Sequence, residues 1–119
     1  MILIVEDNDA MRELLKTLLQ SDGHEVILAH DGMEAVEQYK IEGKKIELVI
    51  TDIEMPYLNG VETYRQIKKM NSEAKVIFVS GAMNRRLEVQ LQREGIEGFF
   101  QKPYAPADIL ARVREILGK

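Results

Sequence analysis

The chain has 119 residues, of which 45% are hydrophobic, and its 16 basic and 20 acidic residues leave a net charge of -4. This size fits one domain with a single core, and the acidic balance argues against direct binding to the phosphate backbone of nucleic acids. Because the chain has no cysteine and no apolar stretch as long as a membrane span or signal sequence, we expect one soluble, cytoplasmic domain over 1–119, without disulfides or thiolate metal sites.

Short apolar runs alternate with longer amphipathic stretches along the whole chain, with no linker, repeat or low-complexity tract between them. Five apolar runs are predicted to be strands, over 2–5, 26–29, 46–51, 76–79 and 96–100. The first and third runs are almost continuously apolar, which is typical of parallel strands that are buried on both faces.

An amphipathic segment follows each predicted strand and predicts a helix. The first helix is indicated by apolar residues at helical spacing, which are Met11, Leu14, Leu15, Leu18 and Leu19. Signals for helix starts follow in chain order as Asp31 with Glu34, Gly60, Asn84 and Pro106. Asp22-Gly23 and Gly43 end the first two helices.

A strand followed by a helix, five times in succession, predicts a three-layer α/β sandwich, because parallel strands need crossover helices and right-handed crossovers cover both faces. All loops after strands then lie at one edge of the sheet. Open sheets of this kind bind ligands at that edge. The residues predicted to meet there are Glu6, Asp7, Asp52, Ser80 and Lys102.

The residue types at this edge suit a divalent metal and a phosphoryl group. Two carboxylates about 4 Å apart repel by about 4 kcal/mol at an effective dielectric constant of about 20, so the cluster needs a cation. Magnesium prefers oxygen ligands, which suits Asp7 and Asp52 directly and Glu6 through a bound water. The Lys102 ammonium and the Ser80 hydroxyl are suited to bind phosphoryl oxygens.

Asp52 is the predicted nucleophile, because it is the isolated acid at the end of the central strand, whereas Glu6 and Asp7 form an adjacent pair better suited to a metal. Phosphoryl transfer depends mainly on positioning and on neutralisation of charge, which these groups supply. Each residue alone is explained at least as well as a loop residue, a turn residue or a helix cap. Their joint occurrence at successive strand ends is what favours a phosphoryl site.

The motifs resemble the receiver domain of bacterial two-component response regulators, including single-domain chemotaxis regulators. The resemblance spans the chain and is carried by residues 2–8, 31–35, 52–60, 79–82 and 102–103. It implies a flavodoxin-like, doubly wound (βα)5 sandwich with the parallel strand order 2-1-3-4-5.

The resemblance also implies a function in phosphorelay signal transduction. A histidine kinase or a histidine phosphotransfer protein would donate a phosphoryl group to Asp52, and Ser80 and Lys102 would bind the acyl phosphate. The implied ligands for Mg²⁺ (or Mn²⁺) are Glu6, Asp7, Asp52 and the Glu54 backbone carbonyl. Such a domain catalyses its own phosphorylation and dephosphorylation and is not a conventional enzyme.

The resemblance further implies a switch in which Ser80 moves toward the phosphoryl group and the aromatic residue Phe99 follows. An output partner or domain would read the face made by the fourth helix, fifth strand and fifth helix. We expect no membrane contact, no direct nucleic acid binding, and a monomer or a phosphorylation-dependent dimer. The Glu54 position tunes the lifetime of the acyl phosphate in the family.

Two other classes of function share parts of this pattern. A phosphatase of the haloacid dehalogenase type also forms an aspartyl phosphate, and Glu54 imitates its second acid, but Pro56 stands where a threonine is usual. A flavin or nucleotide carrier would need a glycine-rich or hydroxyl-rich loop after the first strand, and the acids there are electrostatically wrong for it. We expect either a stand-alone regulator or the receiver portion of a longer protein, and the start inside the first strand favours a trimmed chain.

Overall fold

The structure, a computed structural model, covers residues 1–82 and 84–118 of the predicted domain; residues 83 and 119 lie outside the described part. Its strands are β1 (Ile2–Val5), β2 (Val26–Ala29), β3 (Leu48–Asp52), β4 (Val76–Ser80) and β5 (Gly98–Gln101). They pair in parallel in the order β2-β1-β3-β4-β5. The predicted flavodoxin-like topology is confirmed.

The helices alternate with the strands. They are α1 (Asp9–Ser21), α2 (Gly32–Glu42), α3 (Gly60–Met70), α4 (Arg85–Arg93) and α5 (Pro106–Leu117), and a short 3-10 turn covers Gly43–Lys45. Helices α1 and α5 pack on one face of the sheet, and α2, α3 and α4 pack on the other. Within the two described ranges, no helix has both the length and the hydropathy needed to cross a membrane.

Two strand starts differ from the predicted ones for reasons visible in the backbone hydrogen bonds. The amide of Ile46 donates to the Gly43 carbonyl at 3.1 Å and is used by the 3-10 turn, so β3 begins at Leu48 and not at 46. The amide of Ile96 likewise turns back to the Leu91 carbonyl of α4, and β5 begins at Gly98. In both places the apolar run in the sequence therefore begins two residues before the hydrogen-bonded strand.

Asparagine and aspartate side chains cap four of the five helices, as their preference for N-cap positions requires. The capping residues of α1 to α4 are Asn8, Asp31, Asn59 and Asn84. The reciprocal capping box joins Asn59 and Glu62, whereas the Glu34 carboxylate lies 2.8 Å from His30 Nδ1. At α2, where Asp31 with Glu34 is the predicted start signal, only the Asp31 side chain forms a cap, and it accepts from the Glu34 amide at 2.8 Å.

Gly60 fixes the start of α3 against the end of β3. Its amide donates to the Ile53 carbonyl at 2.9 Å. A Cβ atom at this position would lie 2.1 Å from the Asp52 carbonyl oxygen and 2.8 Å from Ile53 Cα. Because both obstacles are backbone atoms, only a residue without a side chain allows this approach.

We predict that Gly60→Ala lowers the free energy of unfolding by about 1 to 3 kcal/mol, the usual range for an overpacked site. Urea denaturation followed by circular dichroism measures this loss. Gly81→Ala is the matched control, since its Cβ would meet only Glu54 Oε1, at an ordinary 3.7 Å. Equal losses in the two variants would contradict the packing argument.

Candidate functional site

The fold brings the predicted site residues to one edge of the sheet. Asp52 and Ser80 are the last residues of β3 and β4, and Glu6 directly follows β1. Lys102 follows β5, and its amide donates to the Ser80 carbonyl at 2.7 Å. The Lys102-Pro103 peptide bond is cis. The parallel register of β1, β3, β4 and β5 therefore places these groups together, as the strand-end argument predicts.

The Lys102 ammonium is the centre of this group. Its Nζ lies 2.7 Å from Asp52 Oδ2 and 3.1 Å from Glu6 Oε1. Both carboxylate side chains are only 4% exposed, whereas the lysine side chain is 27% exposed. A buried carboxylate requires an opposite charge, and here one ammonium serves two of them.

The carboxylate oxygens at this site are suited to bind a divalent cation. Glu6, Asp7 and Asp52 each offer a carboxylate oxygen, and these atoms lie within 4.8 Å of one another. Asp52 Oδ1 is buried and has no hydrogen-bond partner among the described residues. Buried polar atoms are almost always partnered, and hard cations prefer carboxylate oxygens, so the donor set fits Mg²⁺. The contribution of the Glu54 backbone carbonyl stays a prediction.

Burial and charge shift the pKa values of two groups in the cluster. Burial, with a smaller contribution from the Asp52 charge, raises the pKa of Glu6 to about 7, although the Asn8 amide at 3.1 Å opposes this. Burial also disfavours the Lys102 ammonium, but hydrogen bonds to Asp52 and Glu6 prevail and raise its pKa to about 12. The lysine is therefore charged at neutral pH, where Glu6 is close to half protonated.

Glu54 points its carboxylate at the loop after β4, a contact that sequence patterns did not predict. Glu54 Oε2 lies 2.7 Å from Ser80 Oγ, and Glu54 Oε1 accepts from the Gly81 amide at 2.7 Å. Ser80 Oγ also lies 2.9 Å from the Ala82 carbonyl and accepts from the Ala82 amide at 3.2 Å. Ser80 is thus at the site, and its hydroxyl is already engaged by an anion.

Arg12 is a second residue at the site that the sequence analysis did not single out. Its side chain is 8% exposed, and its guanidinium donates to the Glu6 carbonyl at 2.9 Å and to Asp9 Oδ1 at 2.6 Å. These bonds tie α1 to the loop between β1 and α1 that contains Glu6 and Asp7. The sequence does contain a sign that Arg12 is buried, because it precedes the buried Leu15 and Leu19 by three and seven residues and so lies on the same face of α1.

Phe99 lies apart from the acidic cluster. It is half-buried on β5, opposite Phe78 of β4, and packs against the core on the side of the sheet that α2, α3 and α4 cover. Ala82 and Asn84 line the same small cavity as Phe99, so this ring is next to the loop that Ser80 begins. Its switch role stays a prediction.

Sheet order and site together define the class. Parallel strands in the order β2-β1-β3-β4-β5 carry an acidic cluster and a lysine at their carboxyl ends, which is the arrangement of a receiver domain. The family model described as "Response regulator receiver domain" matches residues 2–114. The chain belongs to this family.

Relatives among characterised proteins agree with this assignment. The chemotaxis protein CheY of Thermotoga maritima is 33% identical over 116 residues, which cover 97% of this chain and 95% of that protein. The response regulator MprA of Mycobacterium ulcerans is 33% identical, with 98% of this chain and 49% of MprA covered. The sensor kinase CckA of Brucella abortus is 34% identical, with 99% of this chain but only 12% of CckA covered. The chain thus spans half or less of the last two relatives.

Solved structures show the same fold. CheY in the CheX-CheY-BeF3-Mg²⁺ complex from Borrelia burgdorferi is similar with a TM-score of 0.91 and 32% identity, covering 99% of this chain and 89% of that one. The response regulator TrrA of Thermotoga maritima, in complex with Mg²⁺-BeF, is similar with a TM-score of 0.83 and 30% identity, covering 98% of this chain and 97% of that one.

The raised pKa of Glu6 predicts how stability depends on pH in metal-free buffer. An acid whose pKa is higher in the folded state than its ordinary 4.5 stabilises the fold while protonated, so stability falls as the pH rises from about 5 to about 8. At 1.36 kcal/mol per pH unit, the loss is on the order of 2 to 3 kcal/mol.

Glu6→Gln should remove most of this loss, because the amide stays neutral at every pH. Urea denaturation at pH 5 and pH 8 in the presence of a chelator measures the effect, with Glu37→Gln on the exposed surface of α2 as the control. Parallel pH profiles for the wild type and Glu6→Gln would contradict the assignment.

Proposed function

We propose that the chain accepts a phosphoryl group on Asp52 from the phosphohistidine of a histidine kinase or histidine phosphotransfer protein. The observation that carries this proposal is the state of the Asp52 carboxylate, which is buried with Oδ2 held by Lys102 and Oδ1 without a partner in the described residues. A carboxylate oriented by a cation, with one oxygen left over, is suited to attack phosphorus.

The transfer step follows from this geometry. An Asp52 carboxylate oxygen forms a bond to phosphorus as the phosphorus–nitrogen bond of the donor breaks, and the imidazole nitrogen keeps the bonding electron pair. Lys102 and Ser80 lie where they can bind phosphoryl oxygens and offset the charge that spreads over them. Hydrolysis removes the phosphoryl group in a separate step: a water oxygen bonds to phosphorus as the Asp52 oxygen–phosphorus bond breaks, the carboxylate keeps the bonding electron pair, and inorganic phosphate leaves together with the protons of the water.

The metal we propose for this site is Mg²⁺, or Mn²⁺, with Glu6, Asp7, Asp52 and the Glu54 carbonyl as its protein contacts. When bound, such an ion would neutralise charge on the phosphoryl oxygens. Burial of Glu6 and Asp52 and the fit of three carboxylates within 4.8 Å support the assignment. Arg12 would help to position this ligand set, because its guanidinium donates to the Glu6 carbonyl and fixes the backbone there.

We further propose that phosphorylation acts through Ser80 and Phe99 on the face made by α4, β5 and α5, which an output partner or domain reads, in a monomer or a phosphorylation-dependent dimer. Phe99 shares a cavity with residues of the loop after Ser80, which supports this route. Phosphorylation of Asp52 and hydrolysis of the resulting acyl phosphate are then the only reactions that we propose for the chain. A phosphatase of the haloacid dehalogenase type gains no support, since the carboxylate of Glu54 contacts Ser80 and Gly81.

We predict that Mg²⁺ and a small acyl-phosphate donor add one phosphoryl group to the wild type and none to Asp52→Asn. Intact-protein mass spectrometry measures the product directly. Asp22→Asn is the matched control, because the Asp22 carboxylate lies at the end of α1 away from the site and pairs with Arg114, with 2.7 Å between Oδ1 and the guanidinium nitrogen. This variant should label like the wild type. Labelling of Asp52→Asn at the wild-type level would refute the proposed acceptor.

A second prediction concerns Lys102. Lys102→Ala keeps the carboxylates and should retain some Mg²⁺ binding by calorimetry, but it lacks the ammonium that senses the phosphoryl group. Addition of beryllofluoride, an acyl-phosphate mimic, should therefore shift the Phe99 NMR resonances in the wild type and leave them unmoved in the variant. An equal shift in both proteins would show that Lys102 does not couple the site to Phe99.

A further inference from the structure

The loop after β4 is held by a carboxylate that belongs to the protein itself. Glu54 follows the proposed acceptor Asp52 by two residues, and its two carboxylate oxygens each bind one donor of that loop. The Ser80 hydroxyl is 2.7 Å from Oε2, and the Gly81 amide is 2.7 Å from Oε1. At such distances, hydrogen bonds to an ionised acceptor are among the stronger ones in proteins.

These donors are of the kind that an acyl phosphate on Asp52 needs. A phosphoryl group presents anionic oxygens, and a carboxylate presents the same type of acceptor. The Ser80 hydroxyl and the Gly81 amide each have a single proton to donate. Neither donor can therefore serve Glu54 and a phosphoryl oxygen at full strength at the same time.

We propose that the Glu54 carboxylate occupies a phosphoryl-oxygen subsite made by Ser80 and Gly81, and that phosphorylation of Asp52 must displace it. This inference rests on the proposed function, because the displacing anion is the acyl phosphate. Lys102 takes no part in this subsite, since its ammonium contacts Asp52 and Glu6. In the unphosphorylated site, Lys102 thus binds Asp52 and Glu6, while Glu54 binds the loop after β4.

Displacement is chemically feasible because every group that Glu54 leaves has another partner. Glu54 is exposed, so water can solvate its carboxylate after release. The Ser80 hydroxyl oxygen lies 2.9 Å from the Ala82 carbonyl, and Gly81 is also exposed. No buried donor is therefore left unsatisfied during the exchange.

Displacement has a measurable consequence for binding. Part of the free energy of each phosphoryl contact with Ser80 and Gly81 is spent in breaking the contact to Glu54. A variant that cannot hold both donors should bind beryllofluoride with Mg²⁺ more tightly than the wild type. Loss of one charge-assisted hydrogen bond corresponds to a change of about tenfold in the dissociation constant.

Two variants separate the contact from its charge. Glu54→Gln removes the charge and leaves one oxygen to accept, whereas Glu54→Asp keeps the charge but is one methylene shorter than the span to both donors. Both should bind beryllofluoride about tenfold more tightly. Glu37→Gln, which removes an exposed charge on α2, is the control for net charge and should bind like the wild type.

NMR of the free proteins gives a second, independent measurement. The Gly81 amide proton should exchange faster with solvent in Glu54→Gln and Glu54→Asp than in the wild type, because its acceptor is uncharged in the first variant and too short to reach both donors in the second. An unchanged Gly81 amide in both variants would overturn the proposed contact, and faster exchange in both supports it.

The binding outcomes also distinguish this inference from the function on which it rests. Tighter binding by Glu54→Gln alone, with Glu54→Asp like the wild type, would make the effect one of charge and would overturn displacement. Equal binding by all proteins would overturn displacement and leave the phosphoryl site standing. Absence of beryllofluoride binding in the wild type and in every variant would overturn the proposed function itself.

Discussion

The structure at the sheet edge depends on one interaction, the contact of the Lys102 ammonium with two buried carboxylates. Asp52 ends β3 and Glu6 directly follows the neighbouring strand β1, so the fold itself brings the two carboxyl groups together, and burial makes repulsion between them costly. Lys102 reaches them from the loop after β5, and its own amide is bonded to Ser80 at the end of β4. One residue thereby joins the ends of β1, β3 and β4 to the loop that follows β5.

Two cations at this edge have different tasks. Lys102 binds carboxylate oxygens directly, which sets the charge of the site. Arg12 binds the carbonyl of Glu6 and the side chain of Asp9, and so it fixes the backbone without consuming the carboxylates of Glu6 and Asp7. A planar guanidinium with several donors suits the second task, and a compact ammonium suits the first. The acids are therefore positioned and yet remain available to a metal.

Hydrophobic period, capping chemistry and the parallel topology predicted the starts of α2 to α5 and the residues that meet at the sheet edge, whereas the strand order was implied by the resemblance to the family. Sequence reasoning placed the starts of β3 and β5 too early, since Ile46 and Ile96 are apolar but give their amides to turns. It did not predict where Glu54 directs its carboxylate. A loop side chain has several rotamers, and only the three-dimensional position of its partners in the loop after β4 selects one.

On the proposed function, the anion-binding donors around Asp52 are already used before phosphorylation. Lys102 binds Asp52 and Glu6, while Ser80 and Gly81 bind Glu54. Phosphorylation then exchanges one set of anionic acceptors for another and does not create contacts in an empty site. A ligand shifts a conformational equilibrium only by the difference between its interactions with the two states. The free energy available to move Phe99 is therefore the difference between phosphoryl and carboxylate contacts, and the contacts of Glu54 with Ser80 and Gly81 reduce that difference.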